Sequence, residues 1–297
     1  MLVHRHQTAT APNRVVVLGS RGFLGATLLS SLAAAGLTAE GISSRDVDLT
    51  GGGAADALAA RLAPADALVV LAALTPDKGR GIDTFMANLR MMENVVGALA
   101  QSPVDHVVYI SSDAVYALDQ PRITEATCAA PTDLYGTMHK AREVMLASSL
   151  PADKLAILRL TLVYGAADTH NSYGPNRLRR MARDNGEIKL FGEGEETRDH
   201  ILVDDAAALI GLALQHASHG TLNVATGRSI SYMDLARLIA PHFDAPVKIT
   251  CLDRQSPITY RQFDVTALHK AFPTFTSTPL EHGLALVHEE MMSGGGS

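Results

Sequence analysis

An apolar run, Arg14-Val15-Val16-Val17-Leu18, ends in Gly19-Ser20-Arg21-Gly22-Phe23-Leu24-Gly25, and an Ala/Leu-rich stretch follows at once. A strand, a tight glycine turn and a helix in immediate succession constrain the fold more than any other feature of the chain. Glycine at every third position lets the backbone approach a ligand. It also leaves N–H groups pointing at an anion from a helix N-terminus, where the dipole favours negative charge. In its strand–helix context the turn predicts a pyrophosphate site in a dinucleotide-type α/β fold. A glycine turn used only for packing is the competing reading.

The pattern beyond the turn agrees. Strands are expected over 15–18, 38–42, 67–72, 106–111 and 155–160, and helices over 24–35, 54–62, 85–99 and 135–147. Near-continuous apolar strands alternating with helices predict a parallel sheet covered on both faces, here an α/β doubly wound (Rossmann) domain over 14–165. After Gly165 short helices at 178–183, 204–215 and 233–240 mix with short strands near 188–191, 221–224 and 247–250. They predict a smaller C-terminal α/β substrate lobe over 166–290, partly interleaved with the first. Residues 1–13 lack an apolar signal core and read as a loose arm. The segment 293–297, Ser-Gly-Gly-Gly-Ser, reads as a loose linker.

Composition excludes several classes. Net charge is -6 with no basic stripe, which argues against nucleic acid as a partner. The longest apolar run, 67–74, is too short to cross a bilayer. Cys128 and Cys251 fit no metal spacing, and the 12 histidines are dispersed, so no metal is expected. Unpaired cysteines suit a reducing cytoplasm.

Several segments together resemble the extended short-chain dehydrogenase/reductase family, in its nucleotide-sugar epimerase/dehydratase branch. They are 19–25, Tyr109-Ile-Ser-Ser-Asp-Ala-Val-Tyr116, Tyr135-Gly-Thr-Met-His139, Arg159-Leu-Thr-Leu-Val-Tyr-Gly165, 190–205 and 222–227. The likeness runs from about residue 14 to about residue 290. It implies a Rossmann domain holding NAD or NADP and a lobe closing over a sugar nucleotide. It also implies a tyrosine phenolate that exchanges a proton with a sugar hydroxyl while nicotinamide moves a hydride. A free tyrosine titrates near ~10, so such chemistry needs a nearby cation and a Ser or Thr hydroxyl.

On the matched positions Tyr135 is the family tyrosine and Ser112 its hydroxyl partner. Ser111 should face away by strand alternation. The chain departs from the family's YxxxK pattern, which sets tyrosine and lysine on one helix face. Here His139 holds the lysine position, and Lys140 lies roughly 140° around the helix from Tyr135. His139 is expected to donate to a ribose hydroxyl and, when protonated, to lower the Tyr135 pKa. The alternative is that catalysis was lost with the lysine. Asp113 stands alone where dehydratase relatives carry Asp-Glu, so 4,6-dehydration is not expected. It reads either as an acid near the substrate or as an acceptor for backbone N–H groups. Ala114 and Ala167 stand where double epimerases carry Cys and His, so that reaction is not expected either.

NAD enzymes usually end the second strand with an acid on the adenosine 2′-hydroxyl. Here Ile42-Ser43-Ser44-Arg45 stands there. Arg45, helped by Arg21, is expected to pair with a 2′-phosphate, which favours NADP over NAD; the opposing reading puts Asp46 on the ribose. Asp48 and Leu49 resemble the pair beside adenine, Ala72 and Ala73 flank the second ribose, and Asn88 matches a recurrent asparagine near the active-site strand. With Gly19, Arg21, Gly22, Phe23, Leu24, Gly25, Tyr135 and His139 they make the expected cofactor site. For the substrate, Arg198 matches the diphosphate arginine and Arg254 a second. Asn176 and Arg177 start a helix over the nucleotide, and Thr75 and Ser112 reach sugar hydroxyls. The whole implies a cytoplasmic NAD(P)-dependent nucleotide-sugar 4-epimerase or 4-ketoreductase, homodimeric through helices 85–99 and 135–147. An NAD(P)-binding sensor or scaffold, and a reductase of a small non-nucleotide carbonyl, are the alternatives.

Overall fold

The computed structural model describes residues 1–168, 170–171, 174–254 and 256–293. In chain order β1 (Val3–His4) and β2 (Arg14–Leu18) lead to α1 (Phe23–Ala34), β3 (Ala39–Ile42), α2 (Ala54–Ala59), β4 (Asp66–Val70), α3 (Ile82–Gln101) and β5 (His106–Ser112). A 3₁₀ turn at Asp113–Val115 precedes β6 (Arg122–Ile123), α4 (Leu134–Ser149), β7 (Leu155–Leu160), β8 (Leu162–Tyr164), α5 (Pro175–Asn185), β9 (Glu187–Phe191) and β10 (Thr197–Leu202). The remainder is α6 (Val203–Gln215), β11 (Ser218–Val224), β12 (Ser229–Ser231), α7 (Tyr232–Ile239), β13 (Lys248–Leu252), β14 (Gln262–Phe263), α8 (Thr266–Ala271) and α9 (Leu280–Ser293).

Seven strands form the main sheet in the order β1-β11-β7-β5-β4-β2-β3. Every neighbouring pair is parallel except β1 with β11. The chain steps from β2 outward to β3, then back across β2 to β4. Strand order therefore reverses between β2 and β4, and ligands of such sheets bind outside the strand ends at that reversal. Alternation divides the apolar strands between two layers. Val15, Val17 and Val69 pack toward α1 and α6 with Leu28, Leu32 and Ile210. Val16, Leu68 and Val70 pack under α2, α3 and α4 with Met92, Val95 and Leu146. Helices on both faces explain why β2 and β4 carry only apolar residues after their first position.

The smaller lobe has its own core of Tyr164, Leu178, Leu190, Leu235, Ile239 and Leu284. Two expectations change. The strand near 221–224 is not part of this lobe. As β11 it pairs with β7 in the main sheet, and α6 before it packs on α1, so the crossover completes one more unit of the large domain. Nor is the N-terminal arm loose. β1 pairs with β11, His4 bonds Ser218 Oγ (2.7 Å) and the Ala271 carbonyl (2.8 Å), and Arg5 pairs with Asp105. Polar anchors hold it, which apolar patterning does not register. Ser293 closes α9, and the other residues of the 293–297 linker lie outside the described residues. Among the described residues no helix is long and apolar enough to cross a membrane, and no three potential metal ligands cluster. Cys128 and Cys251 are free.

Candidate active site

A cavity of about 860 Å³ opens outside the strand ends where the order reverses. Its floor is the glycine turn. Gly19 takes φ +89°, and a Cβ there would lie 2.8 Å from the Ala72 nitrogen. Gly22 precedes α1 in extended conformation, with no side-chain cap and no acid in the first helical turn. A Cβ on Gly25 would lie 2.3 Å from the Gly19 carbonyl oxygen, so only glycine seats α1 this close to the turn. Arg21, Gly22, Phe23 and Leu24 line the cavity, Phe23 with its ring largely buried. An uncapped helix N-terminus facing a cavity fits a diphosphate.

At the end of β3 the Ser43 N–H and hydroxyl both donate to Asp46 Oδ2 (2.8 and 2.6 Å). Those two bonds hold the Asp46 carboxyl below its ordinary pKa. Asp46 Oδ2 closes this turn, and Asp46 is not among the described residues that line the cavity, whereas Arg45 beside it is. Arg21 and Arg45 are exposed on the cavity wall, and neither pairs with a carboxylate among the described residues. Asp48 accepts from the Thr50 N–H and hydroxyl, and Leu49, Ala72 and Ala73 line the wall. Asn88 lies behind the wall instead. Its amide accepts from the Leu74 N–H (2.8 Å) and donates to the Leu74 and Thr84 carbonyls, fastening the loop that carries Ala72 to Thr75.

β5 delivers the next group. Ser111 turns away and donates to Glu143 Oε1 (2.7 Å), which Arg159 also grips. Ser112 faces the cavity, and its oxygen accepts from the Ala114 N–H (3.1 Å). Asp133 caps α4 by accepting from the Gly136 N–H (2.7 Å). A Cβ on Gly136 would lie 2.1 Å from the Ala114 carbonyl oxygen. Glycine there lets the first turn of α4 rest on the Asp113–Val115 turn, which brings Tyr135 beside Ser112. Burial and the Asp113 charge push the Tyr135 phenol up to about 12, against the Ser112 hydrogen bond and the charge of Arg142.

His139 is only 4% exposed and lines the same cavity. Its Nδ1 is 2.8 Å from the Tyr109 hydroxyl, and its ring stands edge-on to Tyr135 at 4.7 Å. Burial, then the Arg142 charge, pushes the imidazole down to about 3. The ring is therefore neutral near pH 7, as a free imidazole mostly is, and no partner among the described residues raises it, so His139 does not bring the positive charge that would lower the Tyr135 pKa.

Residues 15–225 match the NAD dependent epimerase/dehydratase family. The chain belongs to that family. The dTDP-L-rhamnose 4-epimerase of Burkholderia thailandensis is 31% identical over 67% of this chain and 67% of its own length. Two solved structures share the fold. MoeE5 in complex with UDP-glucose and NAD has a TM-score of 0.81 at 23% identity, covering 95% of this chain and 99% of its own. A GDP-L-fucose synthetase from Naegleria fowleri bound to NADP has a TM-score of 0.81 at 17% identity, covering 97% and 96%.

The substrate side of this family enzyme departs further from expectation. Arg254 is held by Glu195 and lies 3.6 Å from Glu196, off the cavity wall, so its charge is already matched. Arg198 donates to the Thr197 and Thr259 carbonyls and to Thr259 Oγ1 (2.6 Å), also behind the wall. Arg177 is exposed at the start of α5. Asn176 lines the wall, but its amide is used in bonds to the Gly165 N–H and Asp168. Thr75 lines the wall and donates to Asp77 (2.5 Å). Among the described residues no backbone N–H donates to the Asp113 carboxylate, which lies 3.3 Å from the Arg261 guanidinium, and Arg261 also donates to the Asp113 carbonyl (2.8 Å). Sequence reasoning missed Arg261, 148 residues away with no motif around it. It also missed Arg142, although a spacing of seven after Tyr135 signals a shared helix face.

Proposed function

We propose that this enzyme acts on carbon 4 of a sugar nucleotide as an NAD(P)-dependent 4-epimerase. The reading is carried by one observation: Tyr135 and Ser112, from two different elements, stand side by side on the wall of a cavity whose floor is an uncapped helix N-terminus. The Tyr135 oxygen takes the sugar hydroxyl proton, and the Ser112 hydroxyl orients the same sugar oxygen. Bound nicotinamide supplies the hydride acceptor and donor. Arg198, with no carboxylate ion pair among the described residues, is the candidate for the substrate diphosphate, which it would reach by exchanging its bonds to Thr197 and Thr259 for phosphate oxygens. The 4-epimerase named among the relatives supports internal return of the hydride. We place the enzyme in the cytoplasm, in keeping with its two free cysteines.

Arg21 and Arg45 favour a second reading, an NADPH-consuming 4-ketoreductase, because two guanidinium groups without a carboxylate partner among the described residues, one in the glycine turn and one just after β3, suit a 2′-phosphate. One assay separates the two. Sugar nucleotides, dTDP-L-rhamnose first, are incubated with trace or stoichiometric cofactor. Product at trace cofactor, with no net change in nicotinamide absorbance, is expected. No product from any sugar nucleotide under either condition overturns both readings. In the same assay Arg45→Ala is expected to lower NADP affinity relative to NAD by about tenfold. An unchanged ratio removes Arg45 from cofactor choice.

Ile82 and Met86 on α3 and Val144 on α4 are 63%, 51% and 54% exposed. Two packed helices with unpartnered apolar side chains suit a twofold interface, so a homodimer through a four-helix bundle is proposed. Light scattering should give twice the chain mass, falling to one chain for Met86→Glu with Val144→Glu. A monomeric parent protein rejects the interface.

A further inference from the structure

The tyrosine of this site lacks the ammonium group that its family pattern places four residues on. Lys140 does not replace it: its Nζ lies 3.6 Å from Glu143, on another face of α4. His139 does not carry the charge either, because it is neutral. The region nevertheless holds a cation. Arg142 is fully buried, with 0% exposure, and makes no ion pair among the described residues. One guanidinium nitrogen donates to the Ala72 carbonyl (2.8 Å) on the cavity wall, another approaches Met138 sulfur (3.8 Å), and Nε has no partner. Its carbon sits 5.4 Å from the centre of the Tyr109 ring.

The helix explains the placement. Seven residues at 3.6 per turn bring Arg142 to within about 20° of Tyr135, and His139 lies between them on the same stripe. Side chains on a helix lean toward its N-terminus, so the long Arg142 side chain reaches back beneath His139. A buried guanidinium with no counter-ion costs stability. An anion forming nearby offsets that cost, and the Tyr135 phenolate is such an anion.

The imidazole is oriented as well. Tyr109 is buried, and burial raises its pKa further, so its hydroxyl keeps the proton. A buried hydroxyl needs an acceptor, and among the described residues its partner is His139 Nδ1. Nδ1 therefore accepts, which leaves Nε2 as the N–H. That Nε2 is buried and unpartnered, on a ring that lines the cavity. It is a donor held ready for an acceptor that none of the described residues supplies.

We infer that the two tasks of the missing ammonium are divided here: His139, oriented by Tyr109, donates through Nε2–H to a hydroxyl of the cofactor ribose, and Arg142 supplies the fixed positive charge behind Tyr135. The inference rests on the proposed function and deepens it. Other groups face Tyr135 too. Asp113 and Asp133 oppose ionisation and Ser112 assists it, and Asp113 is itself opposed by Arg261. Arg142 is a positioning residue, acting through charge on Tyr135.

Two measurements test it. Nitrogen NMR on histidine-labelled protein should show His139 as the neutral Nε2–H tautomer near neutral pH, and Tyr109→Phe should lose that preference. An Nδ1–H ring in the parent protein overturns the first half. For the second half, Tyr135 ionisation is read as phenolate absorbance in cofactor-loaded protein, by difference against Tyr135→Phe. Arg142→Met should move its midpoint up by about one pH unit or more. Arg142→Lys, which keeps the charge, should restore it. Midpoints that agree between the parent, Met and Lys proteins overturn the role of Arg142. If Met does not fold, a lysine variant that folds but fails to ionise Tyr135 like the parent overturns it equally. Neither readout needs turnover. A protein that passes both and converts no sugar nucleotide refutes the proposed function alone.

Discussion

Tyr135→Phe should abolish conversion of the sugar nucleotide, with a loss of about 10²–10⁴ in kcat, while cofactor affinity and thermal midpoint stay close to the parent. The reasons lie in what the ring does apart from its hydroxyl. Its edge-on packing against His139 survives the change, and Gly136, not the phenol, seats the first turn of α4. What disappears is the phenol beside Ser112 that holds and returns the proton. The phenol titrates near about 12 without ligand, so only a small phenolate fraction exists near neutrality. Conversion in the direction that takes a proton from the sugar should therefore rise with pH, through the range in which Arg142 and bound ligand bring the phenol down. Ser112→Ala should be milder, because Tyr135 keeps its proton chemistry and loses only an oriented partner. A Tyr135→Phe protein that turns over at the parent rate would move the proton chemistry to another group on the wall, with Asp113 the first to examine.

How much of this site was legible depended on range. Gly19, Gly22 and Gly25 act within seven residues, through a left-handed φ and two close approaches, so their spacing alone announced them. Ser112 and Ser111 were separable because a strand alternates with period two. The departure at His139 was visible, and so was a ring mostly neutral at pH 7. What was not visible is the burial beside Arg142 that lowers it further, because burial belongs to the packed helix. Arg254 looked like a phosphate ligand until folding brought Glu195 and Glu196 against it. The arm at Val3–His4 and the placement of β11 depend on pairing partners more than fifty residues distant. The outline of the sheet is thus a local property of this chain. The charge balance of its cavity is a long-range one.

That charge balance also makes the fold sensitive to acid. His139 and His200 are pushed down to about 3 and His106 to about 4, in each case first by burial. An unfolded histidine titrates near ~6.5. Below that value the unfolded chain binds protons that the native ring refuses, so stability is present above it and lost as pH falls toward the native values. From pH 7 to pH 5 each ring should cost about 2 kcal/mol. Asp199 works in the opposite sense. Burial raises it to about 6, so the native state gains protons first, which returns about 1 kcal/mol. The loss over these four groups, about 5 kcal/mol, is a large part of the stability of an ordinary domain. Denaturant unfolding at the two pH values measures it, and a stability unchanged between them would contradict the burial of these rings. His200 isolates the cause. Among the described residues neither of its ring nitrogens has a partner, and it packs near Tyr232 and Gly174. His200→Phe keeps the shape and removes two buried polar atoms, so it should add about 1–3 kcal/mol at pH 7. It should also remove about a third of the histidine contribution to the acid loss, because one of three titrating rings is gone.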